Sequence, residues 1–287
     1  NADWIRKEHG SKSVTIDNIT YAYDKAAEGN GFMEEFVLRE EDRERMRLYG
    51  KLTDDLHTDL HECLGHGSGQ LAEGTKGDEL RTYSSTLEEA RADLFALYYL
   101  ADSKLVKLGL IPNQEAAWAN YSKYIMNGMM TQLARIEEGK DVQESHMRNR
   151  KLIAEWCYEH GKVDNVIEIV ERDGKKYVVV NDFHKLRNLF GELLREVQRI
   201  KSEGDYGAGS ALVERYAVKI DPELHREVVT RYKALNIEPY SGFVNPEYTI
   251  VKDEEGKIVD VKISYTKNYI QQMLGYAENY SFLPNEN

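Results

Sequence analysis

His61-Glu62-Cys63-Leu64-Gly65-His66 decides how this chain is read, because it is a zinc-peptidase helix motif with one residue too many. The ordinary form, His-Glu-x-x-His, sets two imidazoles four residues apart on one helix face, with a carboxylate between them to activate water. Here the histidines are five apart. At about 100° per residue, five steps turn the second ring about 140° from the first, so a regular α-helix cannot aim both at one ion. The motif therefore predicts a wide turn or π-bulge, with Gly65 where the extra residue is absorbed.

A metal held by two histidines needs a third ligand, and the next acidic stretch offers one. Leu87-Glu88-Glu89-Ala90-Arg91-Ala92-Asp93 opens a run through Leu94-Phe95-Ala96-Leu97-Tyr98-Tyr99-Leu100. Its apolar spacing and freedom from Gly and Pro read as a long buried helix. Glu89 and Asp93 are four apart and share a face, so one can ligate metal while the other accepts the ring N–H of a ligating histidine. Two histidines and one glutamate leave the fourth zinc position open, the pattern of a catalytic rather than a structural site. Each piece alone has a plainer reading: a polar helix for the motif, and a helix start whose acids complement the dipole for the cluster. His57, four before His61, is a rival ligand, but Thr58 stands where the base would be. Cys63 lies off the ligand face and reads as a small buried apolar residue. The glycine-rich 204–210 stretch lacks the Gly-Lys-Ser/Thr of a phosphate loop and reads as a turn before a helix.

His61 to His66 with Gly65, followed by Glu88-Glu89-x-Arg91-Ala92-Asp93, resembles the paired signature of the dipeptidyl peptidase III family, His-Glu-x-x-Gly-His and Glu-Glu-x-Arg-x-Glu/Asp. Asp93 stands where that family commonly has the longer Glu. Glu144-Ser145-His146-Met147-Arg148-Asn149-Arg150 is similar to the family segment bearing a transition-state histidine and a cleft arginine, and 201–212 also looks like family sequence. The resemblance implies one Zn2+ per chain held by His61, His66 and Glu89, with Glu88 and Asp93 orienting the imidazoles. It further implies Glu62 as general base, His146 as oxyanion stabiliser, and Arg150, Arg226 and Asn1 as substrate-binding residues. The implied activity is that of an aminodipeptidase releasing dipeptides from the amino end of short peptides. The alternatives are a zinc-containing lobe that binds peptides or a partner protein without turnover, and a metal-dependent hydrolase of a non-peptide amide. Family members are longer and two-lobed, so this chain, which begins at Asn1, is expected to be the C-terminal catalytic lobe. The expected division is an extended segment at 1–34, a helical zinc lobe at 35–230, and a β-hairpin and helix at 231–287 packing towards the other lobe.

Composition narrows the partners. In 287 residues, 38 Lys plus Arg against 50 Asp plus Glu give a net charge of −12, which argues against nucleic acid or an anionic membrane as partner. No apolar run approaches a membrane span and no signal peptide is legible. Two cysteines, Cys63 and Cys157, suit a reducing compartment, so the expectation is a cytoplasmic monomer acting on short peptides. Periodicity predicts a mainly α fold with small β hairpins: helices over 35–49, 53–67, 86–108, 114–138 and 142–160, then one from an Asp182 N-cap to about 202. Hairpin arms over 163–171 and 176–180 flank Asp173-Gly174, and 213–219 and 222–235 read as irregular. Two strands over 248–252 and 257–264 and a helix over 267–278 complete the chain.

Overall fold

The structure, a computed structural model, describes residues 8–10, 19, 22, 23, 25, 27–237 and 243–282. The chain divides into two compact units, one of Asn1–Val14 with Gly31–Ile237 and one of Thr15–Asn30 with Glu238–Asn287. The fold is mainly helical with two small antiparallel hairpins, as the periodicity predicts. Among the described residues no helix is long and apolar enough to cross a membrane.

In the first unit, helix α1 (Phe32–Phe36) leads into α2 (Glu40–Asp59), whose first turn carries Glu40, Glu41 and Asp42 against the helix dipole. The predicted helices 35–49 and 53–67 are instead broken at 37–39 and joined through Gly50 in α2, because a lone Gly costs a helix only about 1 kcal/mol and packing outweighs it. α3 (Ser84–Leu100) is the central helix, and Leu87, Ala90, Ala92, Leu94, Ala96, Leu97 and Leu100 are all fully buried. A short helix, α4 (Ser103–Lys107), precedes α5 (Ala116–Met129). α5 stops earlier than predicted and a tighter 3₁₀ turn follows at Thr131–Arg135. There the Gln132 side chain donates to Gly128 O and Met147 O, at 3.0 and 3.1 Å. α6 (Ser145–His160) starts at the N-cap Glu144, whose carboxylate accepts from the backbone N–H of His146 and Met147.

Strands β1 (Ile167–Arg172) and β2 (Lys175–Val180) pair antiparallel, Ile167 opposite Val180, around a turn in which Asp173 (φ 53°) and Gly174 (φ 72°) are both left-handed. Asp182 then caps α7 (Phe183–Glu203) by accepting from Lys185 N at 2.9 Å, and Gly204 ends it at φ 65°. The stretch predicted to be irregular is ordered. α8 (Tyr206–Val213) runs into a π-turn over Glu214–Val218, and Asp221-Pro222, a cap followed by proline at the first helical position, starts α9 (Pro222–Ala234). α1 begins inside the segment expected to be extended, held by buried Phe36.

In the second unit, β3 (Glu247–Lys252) and β4 (Ile258–Ser264) form an antiparallel hairpin with an irregularity at Val251/Lys252. Helix α10 (Tyr269–Tyr280) follows, its start fixed by a reciprocal capping box between Asn268 and Gln271.

Candidate metal centre

The chain leaves α2 at Asp59 and winds into a π-helix over Leu60–Gly65, closed by the His66 N–H donating to His61 O at 2.9 Å. One turn of this wider helix spans the five-residue step and returns His66 to the side of His61. The two rings stand 4.6 Å apart between centroids and nearly perpendicular, at 87°. Gly65 needs no left-handed backbone here. Its role is clearance, since a Cβ would stand 2.8 Å from Ala92 Cα and 2.9 Å from Ala92 O. α3 therefore meets the π-turn backbone against backbone, which brings Glu88, Glu89 and Asp93 up to the rings.

Each imidazole is fixed through Nδ1. His61 Nδ1 donates to Asp93 Oδ1 at 2.6 Å and His66 Nδ1 to Glu88 Oε1 at 2.8 Å, so the shorter Asp93 does reach its ring. The Nε2 lone pairs then face Glu89 Oε2, 3.3 Å away from His61 and 3.6 Å from His66. That oxygen is buried and accepts no hydrogen bond. With both rings neutral the three converging atoms are all acceptors, an arrangement that is unfavourable unless a proton or a metal cation joins it. Ligands about 2.1 Å from a tetrahedral ion stand about 3.4 Å apart, so the donor set fits one zinc-sized metal. His61, His66 and Glu89 could hold it. His57, His61 and Asp93 form a second close group. There, however, His57 Nε2 (3.1 Å) and His61 Nδ1 (2.6 Å) both face the same Asp93 oxygen, which makes a hydrogen-bonded cluster rather than a ligand set.

The electrostatics have the same sign. Burial disfavours the His61 cation, but Asp93 and Glu89 beside it raise its pKa to about 9. Burial opposes ionisation of Glu89, but His61 and His66 bring it down to about 2. Asp93 is buried too, and hydrogen bonds from His57 and His61 outweigh that and hold it well below the usual carboxylate range. Among protein groups alone, His61 answers the demand for positive charge by keeping a proton at neutral pH. Glu88 is braced by a two-pronged contact from the buried Arg91, Nη2 to Oε1 at 2.9 Å and Nε to Oε2 at 3.1 Å, and by Lys201. Arg91, three residues on from Glu88, is legible in sequence as a helical neighbour; Lys201 is not.

A cavity of about 300 Å³ opens beside the rings and is lined by His61, Glu62, His146 and Arg150, with Asp54, Asn120, Lys123 and Asn127 as polar walls. His146, half exposed in the first turn of α6, brings Nδ1 to 3.4 Å from Glu89 Oε2 but does not join the mutually close donors. Arg226 is exposed on α9 and is not among the residues lining this cavity. Asn1 lies outside the described residues. Cys63, expected to be buried, is an exposed free thiol, because the π-turn carries that position outward. Sequence reasoning missed the donors around Asp93: His57 (weighed only as a ligand), Tyr124 and Asn149.

A family model described as peptidase family M49 matches residues 1–81 and 72–276. Dipeptidyl peptidase 3 of Rattus norvegicus is 26% identical over 302 residues, covering 88% of this chain and 40% of the relative. The Homo sapiens protein of that name is 25% identical over 261 residues, covering 77% and 35%. The fold is similar to that of DPP III from Caldithrix abyssi, with a TM-score of 0.63 at 24% identity, covering 85% of this chain and 43% of that one. The chain therefore spans about two fifths of the length of the curated relatives it matches. On the match across most of its length, the chain belongs to peptidase family M49.

Proposed function

We propose that this chain carries the zinc centre of an aminodipeptidase, with His61, His66 and Glu89 as ligands. The observation that carries the reading is the convergence of His61 Nε2, His66 Nε2 and the hydrogen-bond-free Glu89 Oε2. The names of the relatives, dipeptidyl peptidase 3, support the substrate class. When bound, zinc supplies positive charge that polarises a scissile carbonyl and makes water nucleophilic near neutral pH. Glu62, on the cavity wall beside His61, takes the proton of the attacking water and returns it to the leaving amine nitrogen as the carbon–nitrogen bond breaks. His146 donates a hydrogen bond to the oxyanion as its charge develops. Arg150, one turn further along α6, holds a substrate carbonyl or carboxylate with its planar fork. Glu88 and Asp93 keep both rings in register by accepting their Nδ1 hydrogens.

Glu62→Gln is expected to retain bound zinc and lose nearly all dipeptide release from a dipeptidyl-arylamide, whereas His61→Ala loses the zinc. A Glu62→Gln protein that stays fully active sinks the base assignment. Peptides with a blocked amino end are expected to be refused. Because the chain spans only 40% of the rat relative, a metal-containing lobe that binds peptide without turnover is the second reading. Metal-loaded chain that binds peptide and releases no dipeptide selects it.

A further inference from the structure

Asp93 accepts four hydrogen bonds from four different elements. Its Oδ1 accepts from His61 Nδ1 at 2.6 Å and His57 Nε2 at 3.1 Å. Its Oδ2 accepts from the Tyr124 hydroxyl at 2.7 Å and Asn149 Nδ2 at 3.0 Å. An ionised carboxylate offers about four lone-pair sites, and all four are filled. The donors come from α2, the π-turn, α5 and α6. Among them Asn149 has a particular place: it is completely buried, three residues from His146 and next to Arg150.

The Asn149 amide is held at one end only. Nδ2 must be the atom facing Asp93, since the reversed amide would set an oxygen against a carboxylate oxygen. Its Oδ1 is then left buried with no hydrogen-bond partner. A buried side chain with an unsatisfied oxygen is less stabilising than an apolar one of equal size. Packing therefore does not explain an amide here, and its N–H does.

We infer that Asn149 is a positioning residue that ties α6, with His146 and Arg150, to the carboxylate that aims His61 at the metal. Through this contact the groups that meet the substrate and the groups that hold the ion keep one register. The inference rests on the zinc reading proposed above and deepens it.

The test replaces the amide by an apolar side chain of similar size. Asn149→Leu is expected to fold, with some loss of stability because Asp93 Oδ2 keeps only the Tyr124 hydroxyl, and to bind zinc roughly tenfold more weakly, in keeping with losses of outer ligand supports. The Co2+-substituted variant is expected to show a shifted visible absorption band. Ile153→Ala is the control: it is fully buried on the same helix, so it should lower stability and leave zinc affinity and the cobalt band unchanged. If Asn149→Leu fails to fold, Asn149→Ala is read in the same way. Parent-like zinc affinity and cobalt spectrum in the Asn149 variant, or an equal loss in Ile153→Ala, overturns the inference while leaving the zinc reading intact. A parent chain that binds neither Zn2+ nor Co2+ overturns both.

Discussion

The hydrogen on Nδ1 of His61 sets the polarity of the centre, because Asp93 holds it and thereby turns the other nitrogen towards Glu89. The same contacts raise the His61 pKa from 6.5 to about 9 and lower that of Glu89 from 4.5 to about 2. A raised histidine stabilises the metal-free fold fully below its unfolded value, and that contribution fades as pH rises through about 9; the lowered Glu89 contributes above 4.5 and fades as pH falls towards 2. Metal must displace the His61 proton, so zinc affinity is expected to rise with pH up to about 9, with about one proton released per ion at pH 7. Calorimetry in buffers of different ionisation enthalpy reads this directly, and binding without proton release contradicts it. Gly65 makes a separate demand. A Cβ at 2.8 Å from Ala92 Cα meets backbone that cannot rotate away, so Gly65→Ala is expected to cost about 1–3 kcal/mol in urea unfolding and to weaken zinc binding. A variant within 0.5 kcal/mol of the parent, against that estimate, shows that α3 has room to retreat.

Helices α5 and α6 meet through a second glycine. A Cβ on Gly128 would collide with Arg150 O and stand 2.7 Å from Ala154 Cβ, so this close approach fixes where α6 presents His146 and Arg150. Gly128→Ala is expected to lower kcat/KM for a dipeptidyl-arylamide more than it lowers zinc affinity, because the three proposed ligands lie on α3 and at the π-turn and are not moved directly. Equal losses in both place the strain at α3 instead. What could be read from the sequence at this level was what local chemistry decides. The Asp173-Gly174 turn and the Asp182 cap were legible because each is written in neighbouring residues. The convergence of His61, His66 and Glu89 was legible because two short segments contain it. The continuation of α2 through Gly50 was not, since tertiary packing overrides a weak local preference. Nor were the contacts of Tyr124 and Asn149 with Asp93, 31 and 56 residues away along the chain, for no spacing rule links them.

Four separate elements send a donor to Asp93, and Asp93 holds the ring of one of the three proposed ligands, so the proposed metal binding is linked to the folding of the first unit. A ligand that binds only the folded state adds about 2.7 kcal/mol at a hundredfold excess over its dissociation constant. For a unit of about 200 residues that corresponds to a rise in melting temperature of about 5–10 °C. The β3–β4 hairpin and α10 of the second unit supply none of these groups. Chelation is therefore expected to lower the calorimetric transition of the helical unit by that amount. Hydrogen exchange should quicken first in α2, the π-turn and α3, while the amides of β3, β4 and α10 keep their rates. A scan in which chelator moves no transition, taken on protein shown by elemental analysis to have lost its zinc, is incompatible with a metal bound at His61, His66 and Glu89.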